Sequence, residues 1–494
     1  MLIAKLYWIG LLLYPRTAPD KGRLVPDTVR LTLAEVVDLA KQNSIDAKQA
    51  VTIRKTKYWQ YRTYRSNYQP QLSMTGIVPG YSKTYTQVLQ PNGTILFQPV
   101  YQDNSSLTLN FSQTIAATGG TIYGETQLQQ YNDFRNKVIL YNGVPYALGY
   151  SQPLFQYNSL RWDNRIEPLK YRESKQAYIE SQEKIAIAAE GLFFDLLLAQ
   201  VNLRVAETNR TNTEKLMKVA RIKYDLGKVS RNEILQLELE QLTAEKAVGT
   251  ARRDLEIATL ALRTYTGEDS ADNIVLNIPD IISAVNISAD KALDEAYANR
   301  SDAIAFIRRV AEAKRDVAVA RGQNGLTATL TANLGYSNTG PTVPDVYRAP
   351  QDQQLLQLQF NVPILDWGRS KARARTAEAN EQLVEYTVEQ DKQTFKQQIV
   401  TQVSLFNVMK DQVGLTARAD SIAGAKYEIA RQRYVLGDLS ITDLSIAFQE
   451  NDQAQRDYIG ALRDFWGAYY QLRYLSLYDF EKNEKITYAT LTKY

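Results

Sequence analysis

Cysteine and histidine are both absent from the 494 residues. That double absence removes thiolate nucleophiles, disulfides, imidazole acid–base chemistry and the usual zinc ligands, and it argues against a metalloenzyme or a triad hydrolase. It also leaves no cysteine for lipid modification at the N-terminus. No continuous apolar run approaches the roughly 18 residues that a membrane-spanning helix needs, so any bilayer crossing falls to β-strands. No Gly-x-x-x-x-Gly-Lys-Ser/Thr loop is present to cradle a nucleotide. Charge of one sign is missing too: 58 lysines and arginines face 54 aspartates and glutamates, for a net +4. Without a dense basic block, nucleic acid finds no footprint. Proline numbers 15, with none in residues 169–278 or 364–494.

What is abundant is tyrosine, with 32 copies, and long proline-free helical pattern. From about Leu160 to Leu226 and from about Gly368 to Leu436 the pattern is continuously helical, and at 1.5 Å per residue each stretch spans roughly 100 Å. Pro168, near the start of the first, is expected to kink it. Each stretch returns as a shorter helix, about Ser230 to Tyr265 and about Ser440 to Leu477. Their polar faces are rich in Gln, Glu, Lys and Arg, as in coiled coils.

Between each long helix and its return lies the same run. Arg221-Ile-Lys-Tyr224-Asp-Leu226-Gly227-Lys-Val-Ser230-Arg-Asn-Glu233 recurs as Arg431-Gln-Arg-Tyr434-Val-Leu436-Gly437-Asp-Leu-Ser440-Ile-Thr-Asp443. Gly227 and Gly437 stand where a left-handed residue ends a helix, with the preceding leucine as the apolar contact of the cap. Ser230 and Ser440 are the N-caps of the returning helices, and Glu233 and Asp443 complete Ser-x-x-acid capping boxes. The motif therefore predicts two αα-hairpin tips, residues 224–230 and 434–440. The two acids have a second reading: if several copies converge on an axis, they form an acidic ring that favours cations.

The tips belong to a wider duplication, which suggests an elongated helical assembly rather than a compact enzyme. Val29 to Arg65 reads as an amphipathic helix with a Thr32-x-x-Glu35 capping box. Asn43, Asp46 and Ala47 match Asn299, Asp302 and Ala303 about 256 residues on, whereas Pro153, Arg253, Asp254, Leu262 and Arg263 match Pro363, Arg463, Asp464, Leu472 and Arg473 about 210 residues on. The first repeat, residues 29–268, thus carries an insertion of about 46 residues relative to the second, 288–478. Residues 479–494 form a tail. Residues 1–18, with Lys5 before a short apolar stretch, resemble a secretory signal peptide, although Thr17-Ala18-Pro19 makes a poor cleavage site.

The insertion falls among predicted strands, about 70–153 in the first repeat and 326–362 in the second. Leu72–Val78, Leu107–Ser112, Ile122–Leu128 and Tyr146–Tyr150 alternate roughly. Leu326–Tyr336 and Leu356–Val362 alternate more strictly, and each is long enough to cross a bilayer as a tilted strand. The loop from Asn338 to Asp352 suits an external loop. Tyr81, Tyr85, Tyr101, Tyr146, Tyr150, Tyr336 and Tyr347 crowd the strand ends as an interfacial aromatic girdle would. A soluble β-sandwich with a tyrosine core would use the same alternation.

Duplicated helix, strands, long helix, tip and shorter helix, with Gln152-Pro153-Leu154-Phe155 and Val362-Pro363-Ile364-Leu365-Asp366-Trp367-Gly368 at the strand-to-helix junctions, resemble the TolC family of outer-membrane efflux proteins over residues 30 to 478. The resemblance implies a mainly α fold with a β-barrel portion. It implies a homotrimer whose strands share a barrel in outer-membrane lipid and whose long hairpins form a periplasmic α-barrel. It also implies a passive duct, without catalytic residue, cofactor or metal, that serves efflux or type I secretion. In the family the tips contact the periplasmic adaptor of an inner-membrane pump, which maps onto Arg221, Tyr224, Leu226, Gly227, Ser230, Arg431, Tyr434, Leu436, Gly437 and Ser440. Asp443 matches the periplasmic gate, with Glu233 as its weaker counterpart, and Ile446 stands where a second acid often follows. Members typically give four strands per chain, so the expectation is four in the barrel, with an inserted hairpin, Leu107 to Phe111 and Ile122 to Leu128 joined by Ala117-Thr-Gly119-Gly120, extending or covering it. A soluble periplasmic coiled-coil scaffold or adaptor is the alternative, and it needs neither tyrosine-rich strands nor an export signal.

Overall fold

The computed structural model of the chain describes residues 28–267, 273–280 and 286–488; the signal-peptide expectation over 1–18 and the end of the tail lie outside them. The elements run β1 (Thr28–Leu31), α1 (Leu33–Asn43), α2 (Ile45–Ser66), β2 (Gln71–Ile77), β3 (Tyr81–Leu89), β4 (Ile95–Thr114), β5 (Thr121–Asp133) and β6 (Val138–Leu154). Next come α3 (Ser159–Asp225), α4 (Arg231–Thr266), β7 (Asn273–Leu276), α5 (Ala289–Asn299), α6 (Ser301–Gln323) and β8 (Thr327–Gly340). Last are α7 (Val343–Tyr347), β9 (Gln351–Asn361), α8 (Arg369–Leu436), α9 (Ile441–Ser476), β10 (Tyr478–Asp479) and β11 (Glu484–Lys485).

The two offsets read from the sequence recur in the element bounds. Helices α1 and α5 are both 11 residues long and start at 33 and 289, 256 apart. Helices α4 and α9 are both 36 residues long and start at 231 and 441, 210 apart. The Thr32 capping box forms, with the Thr32 N–H donating to Glu35 at 2.8 Å. The helix expected from Val29 to Arg65 is interrupted, however. Residues 28–31 are strand, and at Ser44 the backbone turns extended while its N–H closes α1 on the Ala40 carbonyl. Arg300 makes the same break between α5 and α6. Helix α3 continues through Pro168.

Within the described residues the chain divides into two compact units. The first comprises residues 28–44, 188–280 and 416–463. In it β1 pairs with β7 in parallel, and Gln200 of α3 clamps β7 by donating to the Ile274 carbonyl (2.7 Å) and accepting from the Leu276 N–H (3.1 Å). Helix α3 contains one 18-residue stretch apolar enough to cross a membrane, interrupting acids notwithstanding; 56% of that stretch is buried inside the protein. Phe193, Phe194 and Leu196 on this helix have no exposed surface, so its apolar stripe is already spent on a core.

The second unit comprises residues 45–187, 286–415 and 464–488. Its centre is one antiparallel sheet in the order β2-β4-β5-β6-β8-β9, with β3 also on β4. Strands β2 and β3 occupy consecutive lengths of the same neighbour: β2 lies along Ser106–Ser112 and β3 along Ile95–Asp103. The step between them passes through Gly80, whose N–H donates to Asp103 at 2.7 Å and where an added Cβ would sit 2.0 Å from the Asn104 carbonyl oxygen. Only glycine fits there. The inserted hairpin is therefore no cover laid over four strands. As β4 with β5 it occupies the ladder between β2 and β6, because the ladders from β2 and β3 to β4 and the ladder from β5 to β6 satisfy its backbone on both sides.

The two faces of this sheet differ sharply. One cross-strand row reads Leu72, Phe111, Gly124, Leu148, Leu334 and Gln354; the row beside it, on the opposite face, reads Ser73, Asn110, Glu125, Ala147, Gly335 and Gln353. Successive residues of a strand point to opposite faces, so whole rows share a face. Leu72, Leu148 and Leu334 are exposed at 68%, 68% and 61%, so the apolar face is bare. Tyr146 and Tyr336 pair on that face with ring centres 5.0 Å apart, and Tyr81, Tyr101 and Phe134 form a second aromatic cluster. The segment expected as a long loop from Asn338 to Asp352 is mostly structured, since β8 runs to Gly340 and a Thr342–Asp345 capping box starts α7.

Below the sheet this unit holds a buried ionic network. Arg473 bonds Glu183 at 3.0 Å and Asp479 at 2.7 Å, and Tyr469 and Tyr488 donate to the same two carboxylates. The carboxylates raise the Arg473 pKa despite burial, and Asp479 is lowered against its own burial by Arg473.

Candidate functional site

The tips are written in cap chemistry, and the structure resolves each bond. Gly227 and Gly437 are left-handed, with φ of 72° and 95°. In the first tip the Gly227 N–H donates to the Tyr224 carbonyl and the Lys228 N–H to Lys223, both at 2.8 Å. In the second, Gly437 donates to Tyr434 and Asp438 to Arg433. This is the Schellman pattern, and it satisfies carbonyls that the helix end would otherwise orphan. Ser230 and Ser440 then accept from the N–H groups of Glu233 (3.3 Å) and Asp443 (3.1 Å).

Two details of the cap differ from the sequence expectation. Leu226 and Leu436 do not pack against their own caps; they are 66% and 77% exposed. The capping boxes also stay half-formed. Asp443 turns its carboxylate to the Ser440 hydroxyl (2.7 Å). Aspartate is one methylene shorter than the glutamate that usually reaches back to the N-cap N–H. The Glu233 box lacks its returning bond as well, which leaves that half-buried carboxylate uncommitted by the cap.

The two hairpins meet in a single apolar cluster. Met217 and Ala220 of α3, Ile234 and Leu237 of α4, Ala430 and Tyr434 of α8, and Ile441, Leu444 and Ala447 of α9 bury together. Four helices thus meet in one core, which joins the two tips. The repeats are not equivalent within it: Tyr434 is 6% exposed, whereas its counterpart Tyr224 is 41% exposed. Burial pushes the Tyr434 phenol up, and the Glu233 and Glu240 carboxylates push the same way. Lys223 reaches over from the first hairpin to the Tyr434 ring and carbonyl.

Of the expected docking residues, Arg221, Tyr224, Leu226, Gly227, Ser230, Arg431, Leu436, Gly437 and Ser440 are exposed around the two turns, and Tyr434 alone lies inside. Arg431 is held along its own helix by Glu428 at 2.8 Å. Asp443 is exposed, as is Ile446 one turn on. Among the described residues no group of acidic side chains is arranged to hold a metal ion.

One charged group escaped the sequence reading. Asp452 of α9 is 8% exposed and accepts a 2.9 Å hydrogen bond from Asn209 of α3, beside a cleft lined by Ala206, Ala251 and Arg456. Burial raises its carboxyl pKa, partly opposed by Asn209 and Arg456. Its only sequence signal is an acid at an inward helical position, which a single chain shows poorly.

Comparison with known proteins agrees with this geometry. Residues 292–476 match the family model described as outer membrane efflux protein. Among solved structures, the outer-membrane channel OprN is 15% identical with a TM-score of 0.66, covering 91% of this chain and 90% of its own. VceC of Vibrio cholerae is 15% identical at 0.63, with 92% and 96% covered. The CmeC outer membrane channel of Campylobacter jejuni is 16% identical at 0.62, with 92% and 86% covered. No curated protein sequence matches. The family signature thus covers α5 to α9, and over nine-tenths of its length the chain has the fold of these outer-membrane channels.

Proposed function

We propose that three copies of the chain form a passive export duct whose sheets share a barrel in the outer membrane and whose paired tips dock onto a periplasmic adaptor of an inner-membrane pump. The observation that carries the reading is the bare apolar face of the sheet. A face lined by Leu72, Phe111, Leu148 and Leu334 is untenable in water and fits hydrocarbon. The opposite face is polar, as the lumen of a channel requires. Among the described residues the edge strands β2, β3 and β9 have no partner on their outer sides, which a second copy satisfies and lipid cannot.

The tips supply the docking end. Leu226 and Leu436 project apolar surface beside Arg221 and Arg431, the mixture of apolar anchor and arginine that protein interfaces favour. Asp443 and Glu233 stand just inside the turns, where a ring of carboxylates favours cations and resists anions. The sequence carries no Gly-x-x-x-x-Gly-Lys-Ser/Thr loop, and in this reading the partner pump supplies the energy.

Fractionation and export test this together. The chain should be recovered from the outer membrane as a trimer that survives mild detergent, and charge reversal at Arg431 combined with a bulky residue at Gly437 should abolish export while leaving trimers. Recovery as a soluble monomer would end the duct reading; intact export in the double variant would end the docking assignment. Replacing Asp443 with Ala should lower cation preference in planar bilayers, and unchanged selectivity reduces Asp443 to a cap.

A further inference from the structure

We propose that the inserted hairpin, β4 with β5, spans the outer membrane alongside the other strands, so that each chain contributes six strands and three chains close a barrel of eighteen; this rests on the trimeric duct reading above. Three independent observations carry it. The first is position in the ladder: β4 and β5 separate β2 from β6, so a four-stranded contribution would require β2 to abandon β4 and pair with β6.

The second is the continuity of the faces. Leu109 and Phe111 of β4 and Ile122 of β5 lie on the same exposed apolar face as Leu148, Leu334 and Leu356. Asn110 and Glu125 of the hairpin lie on the polar face with Ala147 and Gly335. A hairpin that covered the outside of a barrel would present its polar residues to water and its apolar ones to the barrel. Here its apolar residues are bare in the same plane as those of its neighbours.

The third is depth. The turn at residues 115–120 is tied to the helical end of the sheet: Asn158, just before α3, donates to the Ala116 carbonyl (2.9 Å), Gln113 to the Tyr68 carbonyl after α2 (3.1 Å), and Gln152 to the Thr118 carbonyl (2.9 Å). The hairpin thus starts at the level where the strands leave the helices and crosses the same thickness as β6 and β8. Parity then closes the ring. With every neighbour antiparallel, six positions leave β2 and β9 running opposite ways, so β9 of one copy meets β2 and β3 of the next in an antiparallel ladder. Because barrel diameter grows roughly linearly with strand number, the mouth is about one and a half times as wide as a twelve-stranded one.

The cysteine-free chain makes the test direct. Single cysteines are placed at Leu109 and Asn110 in β4 and, as a reference on a strand not in question, at Leu358 and Gln359 in β9. Outer-membrane trimers are then treated with a charged, water-soluble thiol reagent. The expected result is alternation in both strands, with Asn110→Cys and Gln359→Cys reacting at least tenfold faster than Leu109→Cys and Leu358→Cys. Thr108→Cys repeats the polar-face measurement should Asn110→Cys assemble poorly. If β9 alternates but Leu109→Cys and Asn110→Cys react alike in trimers that persist, the hairpin lies outside the bilayer and the proposal is overturned while the duct stands. If the parent chain forms no outer-membrane trimer, the duct reading fails and takes this proposal with it.

Discussion

The Lys223 ammonium of the first hairpin lies 4.9 Å from the centre of the Tyr434 ring in the second and donates a 3.1 Å hydrogen bond to the Tyr434 backbone carbonyl. One side chain thereby grips both the ring and the main chain of its neighbour. A cation–π contact contributes about 0.5–1 kcal/mol at such a half-exposed site, and a hydrogen bond from a charged donor about 1.5–3 kcal/mol. That is enough to bias two tip arrangements without locking either. Replacing Lys223 with Met keeps the apolar stem and removes both interactions. We expect a higher resting conductance in planar bilayers with unchanged trimer yield, and an identical closed-state conductance would show that the tips are held elsewhere.

The unequal burial of the paired tyrosines separates stability from docking. Tyr434→Ala empties a site inside the shared cluster and should cost about 3 kcal/mol or more by the cavity rule for aromatic truncation. It should appear as greater protease sensitivity at residues 221–237. Tyr224→Ala removes a side chain that is 41% exposed and should leave that sensitivity unchanged while weakening capture by the adaptor. Equal protease sensitivity of the two variants would refute the division.

Much of this site was legible in the chain because cap chemistry is local. Gly227, Ser230, Gly437 and Ser440 announce a turn within ten residues, and the turn forms as written. The fate of Tyr434 was not legible, since its burial depends on Lys223 and Met217 some 210 residues away. The sheet shows the same divide. Strands β8 and β9 alternate strictly because one of their faces is apolar and the other polar, whereas β3 and the first half of β4 hide behind Pro99 and the polar run Gln102–Ser106. Their strand character comes from pairing with each other, which no local pattern reports.

Asp452 gives the helical unit a pH dependence of known sign. Its pKa is raised in the folded state by burial, so between the ordinary carboxylate value and the raised one the folded protein binds more protons than the unfolded chain. Stability from this group is present below the ordinary value and is lost as pH rises through the raised one. At neutral pH the buried charge is therefore a cost, eased by Asn209 and Arg456, the groups that face it. Asp452→Asn keeps the hydrogen-bonding shape without the charge. Its melting temperature should exceed that of the parent near pH 7, with the gap closing towards about pH 4, close to the ordinary carboxylate value. A gap that does not narrow with acid would assign the effect to packing.

The two faces of the sheet predict opposite tolerance to one substitution. Leu148 lies on the apolar face between Gly124 and Leu334, and Thr331 lies on the polar face between Ser151 and Gln357. An arginine on a lipid-facing barrel position costs about 2–4 kcal/mol near the bilayer midplane, whereas a lumen position is hydrated and accepts the charge. Leu148→Arg should therefore deplete the outer-membrane trimer or lower its melting temperature. Thr331→Arg should assemble normally and shift ion selectivity towards anions, since a lumen cation raises the local anion concentration. Both residues sit on adjacent central strands with satisfied ladders, so strand propensity and edge effects are matched. The reverse pattern, with Leu148→Arg tolerated and Thr331→Arg lost, would mean that the sheet is turned inside out and that the face proposed for lipid lines the channel.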